Sequence, residues 1–276
     1  MKAFALALVV LVGGLFMAAT VDFPDWGDPA SPASLHVSPR YIEKTMEETS
    51  VPNIVTAVLA DYRGYDTMFE TAVVFTAGVA CFLLLRRRDF RDEPVRIYRH
   101  QATGVIVEMK RPPVKEPSGE VFVRIDDDWV PHDLIIRSVC RLLIPFIQLF
   151  GLYVIAHGHH SPGGGFQGGV ILGASVILLA LSWDLRTASA RMAETATGIM
   201  SAVGVLIYAG VGALCLALGS NFLDYKALGP LMFVDPVAAR SLGIFFVELG
   251  VGLAVMATMV LIYKNLASEG RLDQGL

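Results

Sequence analysis

One carboxylate lies in a run otherwise fit for lipid: Glu248, within GIFFVELGVGLAV (243–255). An ionised side chain at the centre of a membrane span costs roughly 2.5 to 3.5 kcal/mol, so such a residue faces a partner or a hydrated pathway. Glu248 is therefore the candidate proton carrier, with a helix-gluing structural acid as the alternative. A second cluster is HGHHSPGGGFQGG (157–169), where an apolar stretch ends in His157, His159 and His160. Neutral imidazole is a metal ligand, but H-x-H-H with no cysteine or well-placed carboxylate nearby lacks the spacing of a zinc site. Capping of helix carbonyls, or a proton relay at the outer mouth, fits these histidines better. The glycines form no phosphate loop, since no Gly-Lys-Ser/Thr follows. Gly165, Gly169 and Gly173 recur at every fourth residue with Gly164 and Gly168 beside them, a spacing that makes a flat face for close helix approach. No nucleophile, cofactor or nucleotide motif accompanies these residues, and no cofactor is expected.

The elements that must position them are membrane helices. Of 276 residues, 54% are hydrophobic and 17% charged, and the mean hydropathy is +0.56, well above that of a soluble globular domain. A net charge of -4 gives no reason to expect nucleic acid as a partner. Cys81, Cys140 and Cys215 all fall in apolar runs and read as small apolar residues, neither a disulfide framework nor a zinc cluster. The fold class is thus an all-α polytopic membrane protein with about six transmembrane helices and a small cytoplasmic β-hairpin insert.

Residues 3–21 are uncharged and long enough to cross a hydrocarbon core of roughly 30 Å; without a clean small-x-small cleavage site they read as a retained span. Residues 22–50, with Pro24, Pro29, Pro32 and Pro39, are expected to form an extended, solvent-side loop. In 52–62, Ile54, Val55, Val58, Leu59 and Tyr62 share one helical face, so this segment, too short to span, should lie on the membrane surface or against a partner. Asp61 to Asp66 turn the chain into a second span over 68–85, with Glu70 just inside its start. The soluble insert 86–133 shows β-patterned stretches at 103–109 and 120–125 around a Pro-rich loop, and then Asp126, Asp127 and Asp128. Further spans are expected at 134–156, 166–183, 196–218 and 242–263. The third carries Arg137 and Arg141 one turn apart, then Pro145, where a kink is expected, then Gln148.

Lys2, the arginines at 86–91, the insert, Arg186, Arg191, Lys264 and Arg271 fall on one side of this topology; Arg40, Lys44, Arg63, Lys226 and Arg240 form a sparser set on the other. The positive-inside rule then makes both termini cytoplasmic and turns the histidine-glycine segment outward.

Gly158-His159-x-x-Pro162-Gly163-Gly164-Gly165-Phe166-Gln167-Gly168-Gly169 resembles the signature of the B subunit of Mrp-type multisubunit Na+/H+ antiporters (MnhB/MrpB). Glu248-Leu-Gly-Val-Gly-Leu253, followed by Val255-Met256 and Ile262-Tyr263, is similar to the form of that protein found in membrane-bound hydrogenases and related complexes. Asn53-x-Val55 through Asp61-Tyr-Arg-Gly-Tyr-Asp66-Thr67-x-x-Glu70 resembles the E subunit of those hydrogenases (MbhE) and the end of the large Mrp A subunit; Thr56 and Phe69 depart from its asparagine and glycine. The resemblance implies a natural fusion: an MbhE-like unit (1–88), a cytoplasmic β-rich linker (89–133), an MnhB-like four-helix domain (134–267) and a short tail (268–276). It further implies a non-enzymatic subunit of a complex that exchanges Na+ and H+ across a prokaryotic cell membrane. Its partners would be other membrane subunits and the lipid bilayer, with Glu248, His159, Glu70, Asp61 and Asp66 along the ion pathway, at its mouth or at interfaces. The alternative is a purely architectural subunit of a hydrogenase-like redox complex; an autonomous transporter would show inverted repeats and broken helices, which are not evident.

Overall fold

A computed structural model describes residues 2–85, 96–109, 121–124, 134–183 and 185–268. Among them are six helices long and apolar enough to cross a membrane. The chain divides into two compact units, Met1–Glu48 and Thr49–Leu276. The first contains α1 (Lys2–Ala19), an apolar helix. It also holds most of α2 (Ser38–Thr49). That helix corrects the expected extended loop over 22–50. A wide helical turn over Ala33–Val37, opened by Pro32, leads directly into it with Ser38 already helical, so Pro39 sits where the wide turn passes into the α-helix, and Lys44–Glu47 (2.8 Å) and Arg40–Glu48 (2.9 Å) pair along its surface. Within 22–50, only the stretch before Pro32 stays largely free of helix.

The second unit begins with a short helix α3 (Ile54–Ala57), continued by a wider turn over Val58–Tyr62. Asn53 caps α3: its carboxamide oxygen accepts from the amides of Val55 (3.1 Å) and Thr56 (3.5 Å). The second span, α4 (Gly64–Leu85), starts at Gly64 rather than at residue 68, so Asp66 and Glu70 lie within it. The insert contains a small antiparallel sheet of three strands among the described residues. Its expected strands, β2 (Ile106–Met109) and β3 (Phe122–Arg124), meet through β1 (Arg96–His100), which pairs with both. The arginine run 86–88, the Pro-rich loop, the acidic run 126–128 and residues 269–276 lie outside the described residues.

Six α-helices follow among the described residues: α5 (Leu134–Ala156), unbroken through Pro145; α6 (Gly165–Ser182); the short α7 (Leu185–Arg191); α8 (Glu194–Ala217); and, past a 3-10 turn (Tyr225–Leu228), α9 (Gly229–Met232) and the 32-residue α10 (Pro236–Ala267). Asp235 starts α10 by accepting from the amides of Val237 (3.1 Å) and Ala238 (3.2 Å), with Pro236 at the first helical position.

Helix α10 is the axis of this unit. Lipid tails are as apolar as leucine, so membrane helices associate through close packing and interhelical hydrogen bonds rather than through exclusion of water. Small residues on α10 serve opposite neighbours. A Cβ on Gly252 would come within 2.9 Å of Ile155 and 3.2 Å of the Gly165 carbonyl, whereas one on Gly250 would meet the Gly204 carbonyl of α8 at 2.8 Å. Buried Ser201 and Thr258 add a hydroxyl pair at 2.6 Å between α8 and α10. Gly165, Gly169 and Gly173 meet α10 at residues 248, 252 and 256 in turn, so α6 runs parallel to it. Ser201 meets Thr258 while Gly204 meets Ala254, so α8 is antiparallel.

Candidate functional site

The N-terminal half of α10 gathers the chemistry. Its first charged side chain, Arg240, meets Asp61 of the turn after α3: Nε donates to Oδ2 at 2.6 Å, and both side chains are 10% exposed. The guanidinium also lies 5.5 Å from the centroid of the Tyr62 ring, a cation–π arrangement. Removing one member of such a buried pair strands the other charge. Arg240→Ala should therefore cost about 3 to 5 kcal/mol, and the double variant Asp61→Ala/Arg240→Ala less than either single change. Thermal melts of the three variants check the order.

One position on, Ser241 Oγ reaches His159 Nδ1 at 3.5 Å, and Phe245 meets the His159 ring edge-on at 6.2 Å. His159 Nε2 is buried, with no hydrogen-bond partner among the described residues. The other two histidines turn away: His157 stacks on Tyr153 (5.0 Å) and His160 tilts against His157 (5.3 Å). Burial, and next the neighbouring His160, hold the His159 pKa below the ordinary histidine value. A histidine with a lowered folded pKa takes up its proton more readily when unfolded, so the stability it supports is present above about pH 6.5 and is lost as pH falls from there through the folded pKa. Acidification from pH 7 to 5 should thus lower the melting temperature of the wild type more than that of His159→Gln.

Glu248, two turns below, is buried. Its Oε2 accepts from the Gly165 amide, the first residue of α6. The cap position of α6 is Gly164, which has no side chain to satisfy the free amides of a helix start. Glu248 supplies the missing acceptor from another helix, and its carboxyl group lies at the positive end of the α6 dipole. A Cβ on Gly164 would lie 2.5 Å from Glu248 Oε2, and one on Gly165 would overlap the Glu248 carbonyl. Gly163, with φ +142°, occupies backbone that side-chain-bearing residues rarely adopt. The turn is glycine-rich because a carboxylate and a second backbone press against it. Gly168 meets Ile155 and the Gly151 carbonyl of α5, while Gly169 meets the Gly252 carbonyl.

The turn is also held from outside by the segment before α4. Asn53 Nδ2 donates to the carbonyls of Gly158 and Ser161, both at 2.8 Å, and its amide donates to the His159 carbonyl at 2.9 Å. Thr56 Oγ1 donates to the Gly158 carbonyl at 3.0 Å. Tyr208 and Tyr225 donate to the carbonyls of Gly64 (2.9 Å) and Ala60 (2.7 Å). Burial, above all, keeps Tyr225 a neutral donor by raising its pKa far above the ordinary phenol value. Both departures from the expected MbhE-like pattern fit: Thr56 makes a direct bond to the turn, and Phe69 is largely exposed.

The five expected site residues therefore divide. Glu248, His159 and Asp61 converge on α10. Asp66 pairs at the surface with Arg63, whose Nε donates at 2.6 Å, and Glu70 lies exposed on α4. Sequence reasoning does not single out Arg240, Asn53, Tyr208 or Tyr225 for the site. A detectable signal exists for Arg240, a cation at the N-terminal end of an apolar helix that needs an acid at the same level.

The family described as "Domain related to MnhB subunit of Na+/H+ antiporter" matches residues 135–261, and the MbhE family, the E subunit of MBH, matches residues 4–102. The B subunit of the Na(+)/H(+) antiporter of Bacillus subtilis (strain 168) is 30% identical over 135 residues, covering 46% of this chain and 93% of that protein. The chain belongs to the MnhB family. Its MnhB domain carries α5 to α10, and an MbhE domain precedes it. A protein of Rhizobium meliloti (strain 1021), described as a probable K(+)/H(+) antiporter A/B subunit, is 27% identical over 83% of this chain, which spans only 22% of that relative's length. Two solved structures share the fold. In the membrane-bound sulfane sulfur reductase, an archaeal respiratory membrane complex, one chain aligns over 96% of this one and 97% of its own length (TM-score 0.59, 23% identity). In the Mrp complex from Dietzia sp. DQ12-45-1b, one chain aligns over 94% of this one and 26% of its own length (TM-score 0.53, 24% identity).

Proposed function

We propose that this MnhB-family chain is a subunit of a multisubunit cation/proton antiporter in a prokaryotic cell membrane, with both termini cytoplasmic, and that Glu248 carries protons on its ion pathway. The observation that supports this reading most is the placement of Glu248: a buried carboxyl group on α10 that accepts from the backbone amide at the start of α6. Gaining or losing a proton there alters the charge facing the start of α6, which couples protonation to the packing of the glycine turn. Na+ and H+ are the ions proposed, in keeping with the names of its relatives. His159 and the Asp61–Arg240 pair line the approach from the outer end of α10, while exposed Asp66 and Glu70 face neighbouring subunits. The test is Na+/H+ exchange by the complex in sealed vesicles with Glu248→Gln; unchanged exchange removes Glu248 from the pathway.

The same hydrogen bond favours a second reading, in which Glu248 is solely a cap for α6 and the chain an architectural subunit of a redox-coupled complex. Glutamine keeps an acceptor for the Gly165 amide and loses only the titration, so the one variant separates the two readings.

A further inference from the structure

At the opposite end of the bundle from the histidine turn, α5, α6, α7, α8 and α10 enclose a cavity of about 650 Å³ that the ion-pathway reading does not use. Its lining is apolar along Ile144, Val176, Leu179 and Met256, and ends in Arg141, Arg191 and Trp183. Ile144 is buried, whereas Arg141 and Arg191 are exposed, so the cationic end is the mouth. Among the described residues neither arginine has an ion-pair partner, and no acid belongs to the lining. One turn nearer the start of α5, Arg137 has its Nε buried without a hydrogen-bond partner among the described residues.

We infer that this cavity is a binding site for one anionic phospholipid. Its phosphate lies between Arg141 and Arg191, and an acyl chain runs inward along Ile144, Val176 and Leu179. Three observations favour lipid over a protein helix. An arginine two turns inside an apolar helix requires an anion or a route to the headgroup layer. Basic pockets between helix ends suit phosphate headgroups, which accept several charge-assisted hydrogen bonds at once. Trp183 belongs to the residue type that marks the headgroup level. The mouth also lies on the side with most basic residues in the sequence-derived topology, where anionic headgroups are drawn.

The experiment is lipid retention by the whole complex, extracted in detergent, stripped, and titrated with phosphatidylglycerol or phosphatidylcholine, with bound lipid counted by native mass spectrometry. Wild type should bind one phosphatidylglycerol at this site in preference to phosphatidylcholine. Arg141→Gln/Arg191→Gln should weaken that binding about 30-fold, and Arg141→Lys/Arg191→Lys should retain most of it. Met200→Trp, which fills the apolar part without altering charge, should lower binding of both lipids. Equal binding of the two lipids by wild type, or an unchanged affinity in the Gln double variant, overturns the site. So does a photo-crosslinker at position 200 that captures another subunit instead of lipid.

Discussion

Glu248→Gln is expected to leave the complex assembled and its Na+/H+ exchange reduced by about 100-fold, the lower range of what a positioned proton-transfer group contributes. The amide oxygen of glutamine still accepts from Gly165, so the start of α6 stays capped. Glu248→Ala should fail in both respects, because it also leaves the Gly165 amide without its acceptor, a cap loss of about 0.5 to 2 kcal/mol. Glu248→Asp retains titration but withdraws the carboxylate by one methylene and should give intermediate exchange. Exchange in proteoliposomes and subunit content after gel filtration check the series. If Gln retains full exchange while Ala loses assembly, the residue is a cap and nothing more.

The second large effect concerns glycines, and it discriminates between positions. Gly165→Ala should block assembly of the fold, because the new Cβ overlaps the backbone carbonyl of Glu248, which no rotamer change can move. Gly204→Ala meets the Ala254 amide at 2.5 Å and the Gly250 carbonyl at 2.6 Å, again backbone. Overpacking of this kind costs about 1 to 3 kcal/mol and more where nothing can yield. Gly198 and Gly210 lie on the same α8 with nothing within 4 Å of a new Cβ, so their alanine variants should be neutral or stabilising by up to about 1 kcal/mol. Melting temperatures of the four variants test this; equal losses at all four would mean that close backbone contact is not what these glycines provide.

The apolar spans, the helical character of 54–62 and the glycine face of α6 were legible in the sequence because each is a local pattern of period or length, but the face by which 54–62 docks was not: Thr56, Ala57 and Ala60 are buried, while Val55 and Leu59 are exposed. The strand Arg96–His100 was not: three of its five residues are arginine or histidine, and its strand character comes from pairing with neighbours on both sides. Helix α2 was obscured by proline content, a count that ignores where in a helix each proline falls. The meeting of Glu248 with Gly165, 83 positions apart, is a tertiary fact with no local trace. Two features that each looked self-sufficient, a deep acid and a glycine turn, are the two halves of one contact. Its level is also informative: Glu248 stands beside the first residue of α6, at one end of that helix rather than its middle.

Apart from the Asp61–Arg240 ion pair, the side-chain bonds that tie the segment before α4 to the rest of the unit have a shared property. Asn53, Thr56, Tyr208 and Tyr225 all donate to main-chain carbonyls, those of Gly158, Ser161, Gly64 and Ala60 among them. A carbonyl is present whatever side chain its residue bears, so the receiving half of each bond survives substitution. In these bonds only the donors must be kept, whereas the Asp61–Arg240 pair needs both its members. The joint can therefore tolerate drift on one side without co-ordinated change on the other, an economy suited to a fold retained at 23 to 24% identity.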